Sequence, residues 1–295
     1  MSSAPVPVLA SIRAAYAFLT GHARAVLLAG LPYTTVYALW LGGSFGPGHV
    51  AQGGIGLALS LAVSLASIAM SAAALRLAVR GEHAGPLGLQ LGRDELRLFL
   101  VALLVFLLAG IVFILVYLFW GVIFLTVAGG AMERAGLELD EESGFELAQA
   151  LGYLTPADWA VTGLSGAGCA AIVIWLLARL TLALPASFAA GRIQVMKAWP
   201  LSDGNGWRLA LCLVLTGLPL LAIELGLYEL LSALAGGSLL DMNGRYSDAG
   251  SELPAVLRLR EYQTWLGLFA AVNLPVFAGL YAFIYKDRTG ASAAG

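Results

Sequence analysis

The apolar positions of this chain fall in long unbroken runs rather than in alternation. Six runs stand out, at about 25–41, 54–75, 98–130, 159–188, 209–234 and 265–285. A helix crossing a hydrocarbon core of about 30 Å needs roughly 20 mostly apolar residues. In lipid, backbone polar groups must be satisfied within a helix or a closed barrel, and barrel strands alternate every second residue. Continuous runs therefore predict helices. The expected fold class is all-α: a polytopic membrane helical bundle with six transmembrane helices plus short interfacial helices, forming a single integral membrane domain over 1–295.

The third run is longer than a bilayer requires. At about 1.5 Å per residue it would extend about 50 Å. It must tilt, bend at Gly110 or Gly121, or protrude. Before the first span, Val8, Ile12, Ala15, Tyr16 and Leu19 recur at helical spacing with Arg13 off that face. This predicts a helix over 8–20 lying in the membrane interface. The stretch lacks the charged start, short apolar core and cleavage site of a signal peptide. A second interfacial helix is expected over 87–98.

Composition narrows the field. Of 295 residues, 60% are hydrophobic and only 12% charged, for a net charge of −2. The mean hydropathy is +0.86. Soluble domains carry about 25% charged residues. A disordered chain, a basic nucleic-acid binder and an ordinary soluble enzyme are excluded. Cys169 and Cys212 both lie in apolar runs, so no disulfide scaffold is expected.

Charge placement predicts orientation. With six spans both termini share a side, and that side collects eleven Lys or Arg against four on the other; Arg179 is inside the fourth span. The positive-inside rule puts the N-terminus and C-terminus in the cytoplasm. Trp40, Trp159 and Trp265 fall at outer ends of spans, while Trp199 and Trp207 flank the inner start of the fifth. Such rings favour the headgroup level. Few lysines and abundant Ala, Gly and Leu point to a bacterial source, hence the inner membrane. The outward loop at 131–158 is acidic, with Glu133, Glu138, Asp140, Glu141, Glu142, Glu146 and Asp158 against Arg134. Its spacing matches no calcium loop, so a solvated loop is favoured over a divalent-cation site.

Polar residues inside the runs are the candidate functional groups. Ser60, Ser64, Ser67 and Ser71 recur at spacings of four, three and four, on one helical stripe. Helices in lipid associate through small residues, so a packing stripe is favoured over a polar path. Gly163, Gly166 and Ala170 offer a similar face in the fourth span. Arg179, Glu224 and Glu229 are ionisable residues at membrane depth, which marks them as functional candidates. Glu224 lies beyond Pro219, and Asn273 with Pro275 marks a break in the sixth span that could face the same cavity. Glu224 is either a proton or cation site or a carboxyl bonded to a neighbouring helix, and the second reading is favoured. Pairing of Arg179 with Glu224 would need a strong offset between their helices.

Other chemistry is incomplete. Gly163-Leu164-Ser165-Gly166 resembles the serine motif of rhomboid intramembrane proteases. A serine nucleophile needs a base, yet His22, His49 and His83 all lie outside the spans. The histidines and cysteines show no metal spacing. No phosphate-cradling loop or dinucleotide fingerprint occurs, so no cofactor is expected. Basic residues form no patch with aromatics, which argues against nucleic acid as a partner.

The most distinctive stretch runs over 179–209. It reads Arg179-Leu180-Thr181-Leu182-Ala183-Leu184-Pro185-Ala186, then Ala198-Trp199-Pro200-Leu201-Ser202-Asp203-Gly204-Asn205-Gly206-Trp207-Arg208-Leu209. Pro185 is expected to end or bend the span, and Asp203 or Asn205 to cap the next. The pattern resembles bacterial multi-pass proteins related to the membrane domain attached to some glycerophosphodiester phosphodiesterases. The resemblance covers about thirty residues; Pro200 after Trp199 and Gly206 before Trp207 depart from the family's pattern. No segment is large enough for the catalytic domain, so the resemblance implies a membrane module and carries over no catalytic residue. The expected function is that of a non-enzymatic structural or accessory protein acting through membrane lipids, protein partners or a homo-oligomer. The alternative is a transporter or channel-like protein with a polar path near Glu224 and Arg179, against which stands the missing repeat between spans one to three and four to six.

Overall fold

The computed structural model describes residues 5–45, 54–83, 85, 87–90, 92–136, 151–234 and 253–290, and their side chains except at 41–45, 228, 229, 231–234 and 253–266. Glu138, Asp140, Glu141, Glu142 and Glu146 of the acidic loop, His49, and the side chains of Glu229 and Trp265 lie outside the described residues.

The described chain is helical throughout its ordered elements. They are α1 (Val8–Gly21), α2 (Ala23–Phe45), α3 (Gly54–Arg80), α4 (Arg93–Arg134), α5 (Pro156–Leu180), α6 (Ala183–Ala190), α7 (Ala198–Leu201), α8 (Gly206–Leu234) and α9 (Leu253–Thr289), with a 3-10 turn at Val195–Lys197. Among the described residues, five spans are long and apolar enough to cross a membrane. A sixth appears when α1 and α2, bent by 78° at their junction, are counted together. The chain is a multi-pass membrane protein of the expected class.

Local chemistry sets the boundaries. Thr155 and Asp158 form a capping box at the start of α5: Thr155 N–H donates to Asp158 Oδ2 at 2.9 Å and Asp158 N–H to Thr155 Oγ1 at 3.3 Å. Pro156 occupies the first helical position, where its missing N–H costs nothing. The chain leaves α6 through Gly191, at φ +64°, a left-handed cap natural to glycine. The fourth predicted span is thus interrupted at Thr181 and Leu182, and Pro185 lies inside α6 instead of ending a helix.

Two expectations near the first loop fare differently. The helix over 8–20 forms as α1, with Ser11 and Ala15 buried, and Val6 just ahead of it is buried as well. The helix over 87–98 does not begin until Arg93, because Gly85 and Gly88 take φ +75° and +72°. From Arg93 the chain runs unbroken for 42 residues. The long third run is therefore one continuous helix through Gly110 and Gly121.

Two packing systems share the bundle. In one, α9 lies against α1, α2 and α3. Tyr33 of α2 donates to the Gly267 carbonyl at 2.6 Å, and Gly30 meets Ala271. In the other, α4 runs antiparallel to α5, with Trp120 Nε1 donating to the Thr162 carbonyl at 3.1 Å and Arg134 paired with Asp158 at 2.6 Å. The largest buried cluster joins α1, α6, α8 and α9 through Val6, Ala15, Leu182, Cys212, Val276 and Leu280. α4 stays at the edge, with Phe106 and Phe119 exposed.

Candidate functional site

The segment over 179–209 folds into one assembled site. Arg179 ends α5 and is only 8% exposed. Its guanidinium lies 4.9 Å from the Trp175 ring centre and 4.2 Å from that of Trp199. Nε donates to Ser202 Oγ at 2.9 Å, and Ser202 Oγ donates to the Trp199 carbonyl at 2.9 Å. Among the described residues no carboxylate pairs with Arg179. Two indole faces and one hydroxyl meet the charge instead. A desolvated cation over an indole gains about 2 kcal/mol. The one turn between Trp175 and Arg179 lets α5 supply both a ring and the cation. The short helix α7 supplies the second ring.

The same site receives the N-terminal segment. Val6 N–H donates to Asn205 Oδ1 at 2.9 Å, and both residues are buried. Asp203 or Asn205 was expected to cap α8. Asn205 does accept the Leu209 N–H through its carbonyl at 2.9 Å, but its side-chain oxygen serves Val6. Gly206 lies against Trp175, so close that a Cβ would overlap the indole nitrogen. Arg288, near the end of α9, is buried and donates through Nε to the Leu201 carbonyl at 3.0 Å. Three distant stretches of chain, at Val6, at Trp175 and Arg179, and at Arg288, thus meet at residues 199–206.

A second buried ionic group ties α3 to α4. Arg76 pairs with Glu95, and each is 4% exposed or less. The other Glu95 oxygen accepts the Gly92 N–H at 2.9 Å, so one carboxylate both starts α4 and binds α3. Arg80 extends the group: it pairs with Asp94 at 2.9 Å, donates to the Phe188 carbonyl at 2.9 Å and lies 4.4 Å over the Phe188 ring. Sequence reasoning missed this group. The signal was Glu95, three residues after Gly92 and ahead of an apolar run, which is a helix-start pattern.

Arg179 and Glu224 do not meet. Glu224 lies about 27 Å along α8 from Gly206 at about 1.5 Å per residue. It is 4% exposed and accepts a hydrogen bond from Asn273 Nδ2 across to α9. Glu224 and Asn273 are thus hydrogen-bonded neighbours, but the break expected at Asn273 and Pro275 is absent, since α9 runs unbroken through both, and none of the described grooves is lined by Glu224 or Asn273. Asn273 Oδ1 and Thr216 Oγ1 are buried without a partner among the described residues.

The serine stripe splits. Ser60 and Ser64 are exposed, while Ser67 and Ser71 are half-buried. Ser60 donates to the Gly56 carbonyl at 2.9 Å and accepts from Trp40 Nε1 at 3.0 Å, the stripe's one described tie to α2. Ser64 and Ser71 donate to the Ser60 and Ser67 carbonyls at 2.9 and 2.8 Å. Alanines at 69, 72, 73 and 74 occupy the buried face of α3. Ser165 donates to the Thr162 carbonyl at 3.0 Å, one turn back in its own helix. Gly166 seats the Trp120 indole, whereas Gly163 has open space around it. No group of described residues is arranged to hold a metal ion. Comparison with protein-family models, curated proteins and solved structures gave no match to this chain.

Proposed function

We propose that this chain is a non-enzymatic, structural or accessory protein of a bacterial inner membrane, with both termini in the cytoplasm, acting through lipids and partners. One observation carries the reading. Among the described residues, each Arg and Glu found buried is committed to another part of the same chain: Arg76 to Glu95, Arg179 to Trp175, Trp199 and Ser202, Glu224 to Asn273, and Arg288 to the Leu201 carbonyl. Buried ionisable groups in a membrane mark functional paths when they line wet cavities. These instead fasten helices. The resemblance of 179–209 to a membrane module attached to some glycerophosphodiester phosphodiesterases carries over no catalytic residue, in keeping with the same reading.

The transporter reading keeps one supporting observation, the Glu224–Asn273 pair with its unpartnered amide oxygen. The grooves described between α4 and α5, beside Arg192, and beside His22 are not lined by either residue. Crosslinking and copurification from native membranes test the proposal. A reproducible lipid or protein partner is expected. Ion flux in proteoliposomes that is abolished by Glu224→Gln would overturn it in favour of transport. Tags on the two termini should both be reached only from the cytoplasmic side.

A further inference from the structure

We propose that the groove between α4 and the segment after α6 is a binding site for one anionic phospholipid. The groove has a volume of about 710 Å³. Leu104 and Leu108 of α4 form one wall, and Arg192, Ile193, Met196 and Lys197 the other. Ile193 and Met196 are 46% and 79% exposed. The site thus offers two cations above an apolar wall. No carboxylate lines it, and among the described residues neither Arg192 nor Lys197 takes part in an ion pair. Positive charge without its own counterion, set on an apolar surface, is complementary to a lipid phosphate with acyl chains below it.

Its depth fits such a ligand. The Arg134–Asp158 pair marks the far end of α4 and α5. A bilayer with its headgroups is about 40–45 Å thick, which is roughly 27–30 helical residues. Counted back along α4 from Arg134, that distance reaches the turns at Leu104 and Leu107. Arg192 and Lys197 therefore stand at the opposite headgroup level. Trp199, next in line, is exposed where amphipathic rings are favoured. The segment is also fixed in advance. Gln194 N–H donates to Ser187 Oγ at 2.8 Å, and Arg192 N–H to the Ser187 carbonyl at 3.3 Å, with Ser187 fully packed.

The inference deepens the lipid side of the proposed function, and the two fail separately: flux through Glu224 would refute the accessory role without touching this groove. The test is native mass spectrometry of the full chain in mild detergent, offered equal amounts of phosphatidylglycerol and phosphatidylcholine. Preferential retention of phosphatidylglycerol is expected. Each cation near a lipid surface contributes about fivefold, so Arg192→Gln with Lys197→Gln should weaken retention about thirtyfold. Arg13→Gln with Arg93→Gln, removing equal charge from exposed positions elsewhere, should leave it unchanged. Arg192→Lys with Lys197→Arg keeps both charges and should keep the lipid, which separates loss of charge from loss of fold. Equal retention of the two lipids, or an unchanged phosphatidylglycerol adduct in the charge-removed variant, would overturn the proposal. So would displacement of the lipid by inorganic phosphate at matching concentration, since an anion alone would then suffice.

Discussion

Asn205 accepts a hydrogen bond from the backbone N–H of Val6 at 2.9 Å, across 199 residues of sequence. The donor is buried and has left the stretch where α1 could serve it. Asn205→Ala would strand that N–H away from water. An unsatisfied buried donor costs about 1–3 kcal/mol. A lower melting temperature in detergent is expected, together with faster proteolysis ahead of α1. Asn205→Asp, which retains an acceptor, should recover most of the loss; equal melting of wild type and Asn205→Ala would exclude this role for the bond.

The Arg76–Glu95 pair makes a sharper prediction, because both partners are buried. Removal of one leaves the other charge without its counterion, at a cost of about 3–5 kcal/mol. Arg76→Met and Glu95→Leu should each melt well below wild type. The double variant should recover much of that loss, since no charge is then left behind. Additive losses in a thermal-melting cycle would show that the pair acts as two independent contacts.

Sequence patterning reached the spans and stopped at their partners. Apolar runs locate α2 to α5 and α8 to α9 because burial in lipid demands length and composition, both of which are local. The stretch 179–209 was conspicuous for the same reason: its prolines, turn dipeptides and tryptophans mark a boundary between lipid and headgroups. A bond from Glu224 to a neighbouring helix near Asn273 was legible in outline, whereas the groups Arg179 would meet were not. Arg179 turned to Trp199 and Ser202, while Glu224 turned to Asn273. That choice depends on the tilt and stagger of helices, which no single run encodes. Asn205 shows the limit well. Its position fits a cap, yet a backbone donor far away in sequence claims the side chain.

Gly206 should tolerate no side chain. A Cβ there would overlap Trp175 Nε1, so Gly206→Ala must displace the indole that supports Arg179. Overpacking of this kind costs about 1–3 kcal/mol. Lower thermal stability and a shift in tryptophan emission are expected. Combined with Trp175→Leu, the alanine should cost much less, because the obstructing ring is gone. If Gly206→Ala costs the same in both backgrounds, the close approach is not what constrains the glycine.

Glu224 and Asn273 should be interdependent in stability whatever the protein carries. Glu224→Gln keeps an acceptor for Asn273 Nδ2 and removes only ionisation, so a small change in melting is expected. Glu224→Leu strands a buried amide that already has one unpartnered oxygen, at a cost of about 1–3 kcal/mol. Adding Asn273→Leu removes the stranded group and should recover part of that loss. The cycle of single and double variants isolates the coupling, for which 0.5 kcal/mol or more, roughly the lower bound for contacting residues, is expected. A large loss from Glu224→Gln alone would instead mean that the negative charge itself is required, which is the outcome a cation site would give and a helix fastening would not.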